Sequence, residues 1–185
     1  MSFVEEYKSD LINAIDAIDL AKVNQVIEIF KRARIEGRHI FTCGNGGSAS
    51  TASHFVCDIV KGASYKRDQK FKIMSLVDNT ATVLAYANDV NYDCVFTEQL
   101  KNFASPGDVV LAISGSGNSP NVVNALEYAN GIGCETIALT GRDGGKLGAE
   151  AKLNLNVGVP HMGRIEDAHM IVCHMIAYYF MDTER

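Results

Sequence analysis

Apolar residues recur every three or four positions through the first part of the chain, in two runs separated by Asp19. The first run consists of Val4, Tyr7, Leu11, Ile15 and Ile18, and the second of Val23, Val26, Ile27, Phe30 and Ala33. This spacing puts the apolar side chains on one face of a helix. The pattern therefore predicts two amphipathic helices within residues 1–36, with Asp19 capping the second.

From residue 37 onwards, short apolar runs alternate with helical patterns. The runs predict strands at 39–43, 71–76, 108–113, 135–140 and 153–157. The patterns between and after them predict helices at 48–61, 80–87, 92–103, 120–131 and 164–181. Such alternation is typical of a parallel sheet with helices on both faces and ligands at the carboxyl ends of its strands. We expect one α/β domain over 1–185, with N-terminal helices in 1–36 and the core and C-terminal helix in 37–185.

The last predicted helix, 164–181, is apolar on more than one side, with Met, Ile, Val, Tyr and Phe crowded together. A helix of this kind is usually buried. In so small a domain it predicts packing between subunits, with the N-terminal helices contributing. The alternative is a single core helix of a monomer.

Composition narrows the class of protein. The chain has 185 residues, 47% hydrophobic and 21% charged, with a net charge of −5. These values predict a folded domain with no electrostatic preference for nucleic acid. The chain has neither a secretory leader pattern nor an 18-residue apolar span, and its five cysteines form no C-x-x-C pair. We therefore expect a cytoplasmic protein with free thiols and no membrane partner.

Two predicted strands lead into loops of glycine and serine that precede helices. The first loop is Cys-Gly-Asn-Gly-Gly-Ser at 43–48, and the second is Ser-Gly-Ser-Gly-Asn-Ser at 114–119, followed by Pro120. A helix start presents unpaired N–H groups, glycines permit close approach, and hydroxyls add short hydrogen bonds. The loops predict a site for a phosphorylated small molecule; its first-rank residues are Ser48, Ser114, Ser116 and Ser119. The alternative is that the loops only form turns and that Ser119 only caps a helix.

The first loop also satisfies a dinucleotide-binding pattern, G-x-G-x-x-A at 44–49. That reading requires an acidic residue about 20 positions further on. The candidate, Asp78, lies 34 residues after Gly44. The dinucleotide reading also leaves the second loop unexplained.

Acidic residues and histidines form a further set. His54 and Asp58 are four residues apart and share one helix face. Glu166 and His174 are displaced by about 80° on an ideal helix, so they converge only around a third element. His54, Asp58, Glu166 and His174 are a ligand set that suits Zn²⁺, and they also suit proton transfer. The alternatives are a salt bridge between His54 and Asp58 and buried, hydrogen-bonded histidines at 169 and 174.

In this order, these residues resemble the SIS (sugar isomerase) domain and, within it, the phosphoheptose isomerases. The likeness covers nearly the whole chain. It rests on 43–48, His54, 78–81, 88–89, Phe96, Gln99, 113–119, Asn121, Val122 and 164–174. The resemblance implies a five-stranded flavodoxin-like sheet and a homotetramer with active sites between subunits. It also implies conversion of sedoheptulose 7-phosphate into an aldose 7-phosphate through an enediolate, for heptose in bacterial lipopolysaccharide or capsule.

The resemblance also implies roles for individual residues. The phosphate would be held by Ser114, Gly115, Ser116 and Ser119, and the sugar by Asn45, Gly46, Ser48 and Glu166, with Asp78 and Gln99 nearby. Asp58 would be the base and His174 the acid, and one Zn²⁺ per subunit would be held by His54, Asp58, Glu166 and His174.

Three positions depart from the family pattern. Asp58 stands in place of a glutamate, and Glu166 in place of a glutamine. The extra carboxylate predicts a tighter zinc requirement than in the family at large. The segment 160–163 lacks an expected acidic residue and offers His161 instead, which leaves the sugar open. The alternative function is a non-catalytic SIS protein, either a sugar-phosphate sensor or a tetramer associated with a replication initiator.

Overall fold

The structure is a computed structural model that describes residues 1–183; the last two residues of the predicted domain lie outside it. The helices are α1 (Phe3–Asp16), α2 (Leu20–Ile35), α3 (Gly47–Cys57), α4 (Thr80–Asp89), α5 (Thr97–Phe103), α6 (Pro120–Gly131), α7 (Gly145–Glu150) and α8 (Met162–Asp182). The strands are β1 (His39–Gly44), β2 (Lys72–Ser75), β3 (Val109–Ser114), β4 (Glu135–Gly141) and β5 (Leu153–Val157). A π-helical turn follows α3 at Asp58–Ala63, and a 3₁₀ turn lies at Tyr92–Cys94.

The five strands form one parallel sheet in the order β2-β1-β3-β4-β5. This order confirms the predicted flavodoxin-like sheet and differs from the 3-2-1-4 order of the dinucleotide-binding fold. The chain reverses direction across the sheet between β1 and β3, which pair from Ile40 with Val109 to Gly44 with Ile113. Ligands of open α/β sheets bind beside such a reversal. Both glycine-containing loops leave the sheet there.

The sheet separates two apolar layers. On one face, Phe30, Phe55 and Phe180 pack with strand residues such as Ile40, joining α2, α3 and α8. On the other face, a second layer joins α5, α6 and α7 and contains Phe41, Phe96, Val110, Leu126 and Leu147. Neighbouring strand residues thus point to opposite faces, as a pleated strand requires. Both faces are covered, which explains why β3 is buried along its entire length and apolar from Val109 to Ile113.

Two predicted elements differ from the observed ones, and one observed helix was not predicted. The helix predicted at 48–61 changes to π-helical geometry at Asp58, where the Ser64 hydroxyl donates to the carbonyl of Ile59 at 2.9 Å. The helix predicted at 92–103 is divided, because the Asn91 side chain caps the 3₁₀ turn by accepting from the N–H of Cys94. The short helix α7 was not predicted, since six residues with two glycines give no helical periodicity.

Helix α1 is attached to the start of α8 by polar contacts. The Tyr7 hydroxyl donates to Asp167 at 2.6 Å, and Arg164 pairs with Asp10 at 3.0 Å. Phe3 and Val4 on α1 are each 70% exposed. The apolar face of α1 is therefore only partly covered within one chain. No helix of residues 1–183 combines the length and apolar character needed to cross a membrane.

His169 is a core residue. Its side chain is buried against β4, and its Nε2 lies 2.9 Å from the carbonyl oxygen of Thr140. A carbonyl only accepts hydrogen bonds, so Nε2 carries the proton of a neutral ring. Burial lowers the pKa of His169 to about 4, and the bond to Thr140 offsets only part of that effect. The alternative stated above for this residue, a buried histidine with a hydrogen bond, is the observed one.

This burial predicts an acid-sensitive fold. The unfolded chain protonates His169 near pH 6.5 and the folded chain only near 4, so stability is lost as pH falls between these values. The loss from this residue amounts to about 3 kcal/mol. We expect the free energy of unfolding, measured with urea at pH 7 and pH 4, to fall by about that much more in the wild type than in His169→Gln. Equal losses in the two proteins would contradict this account.

Candidate active site

A cavity of about 260 Å³ opens at the carboxyl ends of β1 and β3. We call it the serine-loop pocket. Its walls are Asn45, Gly46, Gly47, Ser48, Ile113, Ser114, Gly115, Ser116, Ser119, Met162 and Glu166. All of the predicted substrate-binding residues except Asp78 thus line one cavity. Met162 is an additional wall residue that the sequence analysis did not identify, whereas Gly47 and Ile113 belong to the motifs at 43–48 and 113–119 without having been assigned a role.

The loop 114–119 turns its hydroxyls towards one another. Ser114 Oγ lies 3.4 Å from both Ser116 Oγ and Ser119 Oγ. Ser119 is the N-cap of α6, yet its side chain makes no capping hydrogen bond. The capping alternative for Ser119 therefore does not describe this loop. Three hydroxyls beside the N-terminus of a twelve-residue helix form a suitable site for a phosphate group.

The loop 114–119 rests on the segment between β4 and α7. Gly117 has a φ of +66°, and its carbonyl accepts from the N–H of Leu147 at 2.8 Å. Asn118 bridges the same two segments, since its side chain donates to the carbonyl of Ser116 and accepts from the N–H of Lys146. A Cβ on Gly117 would lie 2.1 Å from the carbonyl oxygen of Gly144. Glycine is therefore required for this packing.

The first loop is fixed by an amide pair. Asn45 and Asn121 exchange two side-chain hydrogen bonds, each of 2.9 Å, and the Tyr92 hydroxyl also donates to Asn45 at 2.8 Å. Gly46, with a φ of +55°, begins α3 beside the cavity. Tyr92 was not identified from the sequence, and Asn121 only through the resemblance. The sequence feature that could have identified Asn121 is a polar residue directly after Pro120, on a helix with one buried face.

His54, Asp58 and His174 come together where α3 meets α8. Nε2 of His54 lies 3.1 Å from Nε2 of His174, and Asp58 Oδ2 lies 3.3 Å and 3.7 Å from these nitrogens. The side chains of His54 and His174 are 51% and 42% exposed, whereas that of Asp58 is 20% exposed. Asp58 Oδ2 is buried and has no hydrogen-bond partner in residues 1–183. We call these residues the His54–Asp58–His174 group.

This group has the dimensions of a metal site. Two imidazole nitrogens and one carboxylate oxygen all lie within 4.8 Å of one another. A tetrahedral zinc ion with bonds of about 2.0–2.1 Å separates its ligand atoms by roughly 3.3–3.4 Å. The three observed separations lie close to that value. Asp58 Oδ2 has no hydrogen-bond partner in residues 1–183, and a cation bound beside the two rings would give it one interaction.

Glu166 does not belong to this group of possible ligands, which corrects the four-residue set predicted above. It lines the serine-loop pocket instead, where its carboxylate lies against Gly47; a Cβ on that glycine would be 2.4 Å from Glu166 Oε1. The cause is position along the helix, because Glu166 precedes His174 by just over two turns.

Three other predicted positions lie outside the serine-loop pocket. Asp78 accepts a hydrogen bond of 2.5 Å from Ser53 on α3 and lines an adjacent cavity with Gln99. The amide of Gln99 is buried and donates to two backbone carbonyls, which gives it a structural role. His161 is the N-cap of α8, and its ring packs edge-on against Tyr7.

Comparison with known proteins relates this arrangement to a family. Residues 3–141 match the SIS domain family. The chain is 43% identical to a phosphoheptose isomerase of Aliarcobacter butzleri over 76% of this chain and 74% of that protein. It is 40% identical to a probable phosphoheptose isomerase of Thermoplasma acidophilum over 86% of this chain and 87% of that protein.

A solved structure supports the same relationship. The phosphoheptose isomerase GmhA from Neisseria gonorrhoeae superposes with a TM-score of 0.88 at 32% identity, with 96% of each chain covered. These comparisons cover most of the chain, including the part that contains the sheet and both loops. The chain belongs to the phosphoheptose isomerase family of SIS-domain proteins.

Proposed function

We propose that this protein isomerises a phosphorylated ketose to the aldose, with sedoheptulose 7-phosphate as substrate and D-glycero-D-manno-heptose 7-phosphate as product. One observation carries the proposal. Helix α3 begins at a pocket of three converging serine hydroxyls and ends at the His54–Asp58–His174 group. A phosphate held at one end of α3 would leave the other end of the sugar within reach of acid and base groups.

The reaction needs only proton transfers. We assign Asp58 as the base that takes the proton from C1 of the ketose, which leaves an enediolate over C1 and C2. Asp58 then returns the proton to C2, so one C–H bond breaks and one forms. His174 passes the hydroxyl proton from O1 to O2, and the carbonyl moves from C2 to C1. The 3.7 Å between His174 Nε2 and Asp58 Oδ2 allows both groups to reach adjacent carbons of one substrate.

We propose a divalent cation, Zn²⁺, held by His54, Asp58 and His174. The separations of their donor atoms and the unpartnered buried oxygen of Asp58 support this assignment. When bound, the cation would stabilise negative charge on a substrate oxygen, while Asp58 would move protons through its second carboxylate oxygen and His174 through the ring nitrogen that does not bind the cation. The sugar phosphate would be held by Asn45, Gly46, Ser48 and the serines of loop 114–119. No positively charged side chain would take part, because none of the described residues lining the pocket is a lysine or arginine.

We further propose a homotetramer with active sites between subunits. His54 and His174 are about half exposed in one chain, and the apolar side chains of Tyr65 and Tyr178 are exposed as well. A partner subunit that covered this face would shield the reacting groups from water. We propose that residues 1–185 form one SIS domain and that the enzyme acts in the cytoplasm, where its product would enter lipopolysaccharide or capsule synthesis.

The proposal is tested by NMR of the sugar phosphates after incubation of purified protein with sedoheptulose 7-phosphate. One sample contains one equivalent of Zn²⁺ and the other a chelator. We expect the aldose 7-phosphate to form with Zn²⁺ and its formation to stop with chelator. A sensor or a scaffold tetramer would bind the phosphosugar and leave it unchanged in both samples.

A further inference from the structure

We propose that Glu166 holds its carboxylate against Gly47, inside the serine-loop pocket, when the His54–Asp58–His174 group is empty, and draws it away from Gly47 when that group binds a divalent cation. Metal binding and phosphosugar binding would then be positively coupled through this side chain. The inference rests on the metal site of the proposed function and adds a regulatory link between that site and the serine-loop pocket.

The first support is the position of Glu166 along the contact between α3 and α8. Helices α3 and α8 touch at Gly47 and Glu166, and they touch again at His54 and His174. The separations are seven residues on α3 and eight on α8. The two helices therefore run side by side in the same direction. Glu166 and His174 face the same seam between them, with Glu166 at the pocket end and His174 at the metal end.

The second support is the place that the carboxylate occupies. It lies against Gly47, the first residue of α3, and forms part of the pocket wall. The N-terminus of α3 attracts negative charge and so favours this position of the carboxylate, and the serines assigned to the phosphate line the same cavity. Nothing in the described pocket wall neutralises Glu166, since no lysine or arginine lines it. A phosphate dianion entering the pocket meets the like charge of Glu166.

The link to the metal site follows from charge. The His54–Asp58–His174 group has three donor atoms, one short of the tetrahedral set that zinc prefers. A cation there attracts the Glu166 carboxylate along the seam, away from Gly47. The carboxylate then no longer opposes the phosphate. By linkage, a bound phosphate monoester must raise zinc affinity by the same factor by which zinc raises phosphate affinity.

The test is calorimetric titration of glycerol phosphate, a monoester that cannot isomerise, into wild type and Glu166→Gln. Each protein is measured in chelator and after loading with one equivalent of Zn²⁺. In chelator we expect the variant to bind about tenfold more tightly than wild type, within the usual range for coupled sites. With Zn²⁺ we expect the two dissociation constants to agree within about twofold. Glu127→Gln, which removes an exposed carboxylate from α6, should match wild type throughout.

The outcomes separate the two proposals. If Zn²⁺ binds wild type stoichiometrically but the ratio of the two dissociation constants is the same in chelator and in Zn²⁺, the coupling is refuted and the metal site stands. Equal phosphate affinity of wild type and Glu166→Gln in chelator also refutes the coupling. If Zn²⁺ does not bind at all, both the metal site and the coupling are refuted. Circular dichroism confirms that the isosteric Gln variant is folded.

Discussion

The Asp58→Asn variant is expected to lose about a thousandfold or more in kcat while it keeps its fold. An amide of the same shape neither accepts the C1 proton nor carries the negative charge that a cation between His54 and His174 requires. Stability should not suffer, because Asp58 Oδ2 is buried without a hydrogen-bond partner in residues 1–183. The contacts of Asp58 with His54 and His174, at 3.3 Å and 3.7 Å, are with half-exposed rings, so their loss costs little stability.

Two measurements on Asp58→Asn test this prediction. The kcat comes from NMR of the sugar phosphates, and the melting temperature comes from calorimetry of the metal-free protein. We expect a melting temperature equal to or above that of wild type, which would separate lost chemistry from lost folding. Asp182→Asn, at an exposed position near the end of α8, is the matched control and should retain full turnover. An Asp58→Asn variant within tenfold of the wild-type kcat would remove Asp58 from the proposed mechanism.

The Gly117→Ala variant is expected to bind phosphate monoesters about a hundredfold more weakly. A methyl group there would lie 2.1 Å from the carbonyl oxygen of Gly144, and the φ of +66° adds roughly 1–2 kcal/mol of strain for alanine. The contact is with backbone, so the loop 114–119 must move. The three serine hydroxyls would then no longer converge on one point.

The effect of Gly117→Ala is read from the dissociation constant of glycerol phosphate and from KM. Gly131→Ala is the matched control, because a Cβ at Gly131 meets nothing within 4 Å and this residue ends α6. Alanine is expected to stabilise that position by about 0.5–1 kcal/mol without changing KM. A Gly117→Ala protein with the wild-type KM would show that loop 114–119 does not hold the phosphate.

The periodicity of apolar residues in the sequence was sufficient to predict the layers of the fold. The five strands, the two N-terminal helices and the cap at Asp19 all appear where the apolar pattern puts them. The π-helical turn at Asp58–Ala63 was not predictable, since it depends on tertiary contacts. Gly62 closely approaches Met181 at the end of α8, and the Ser64 hydroxyl adds a local bond to the carbonyl of Ile59.

The composition of the site was easier to predict than its geometry. Strand ends and glycines identified both loops because these features are local. The sequence assigned Glu166 to both the sugar and the cation; it lines the pocket but lies outside the His54–Asp58–His174 group, a difference set by how far α8 is shifted along α3. Asp58 is one methylene shorter than the glutamate of the family pattern, and its oxygen reaches within 3.3 Å of His54 and 3.7 Å of His174.

The central claim is that the serine-loop pocket and the His54–Asp58–His174 group act together on one phosphosugar. It is tested most directly by following sedoheptulose 7-phosphate by NMR with zinc-loaded wild type, chelated wild type and His174→Ala. The account predicts conversion to the aldose 7-phosphate by the zinc-loaded wild type alone. Equal conversion by all three samples would contradict it, and so would failure of the zinc-loaded wild type to convert a phosphosugar that it demonstrably binds.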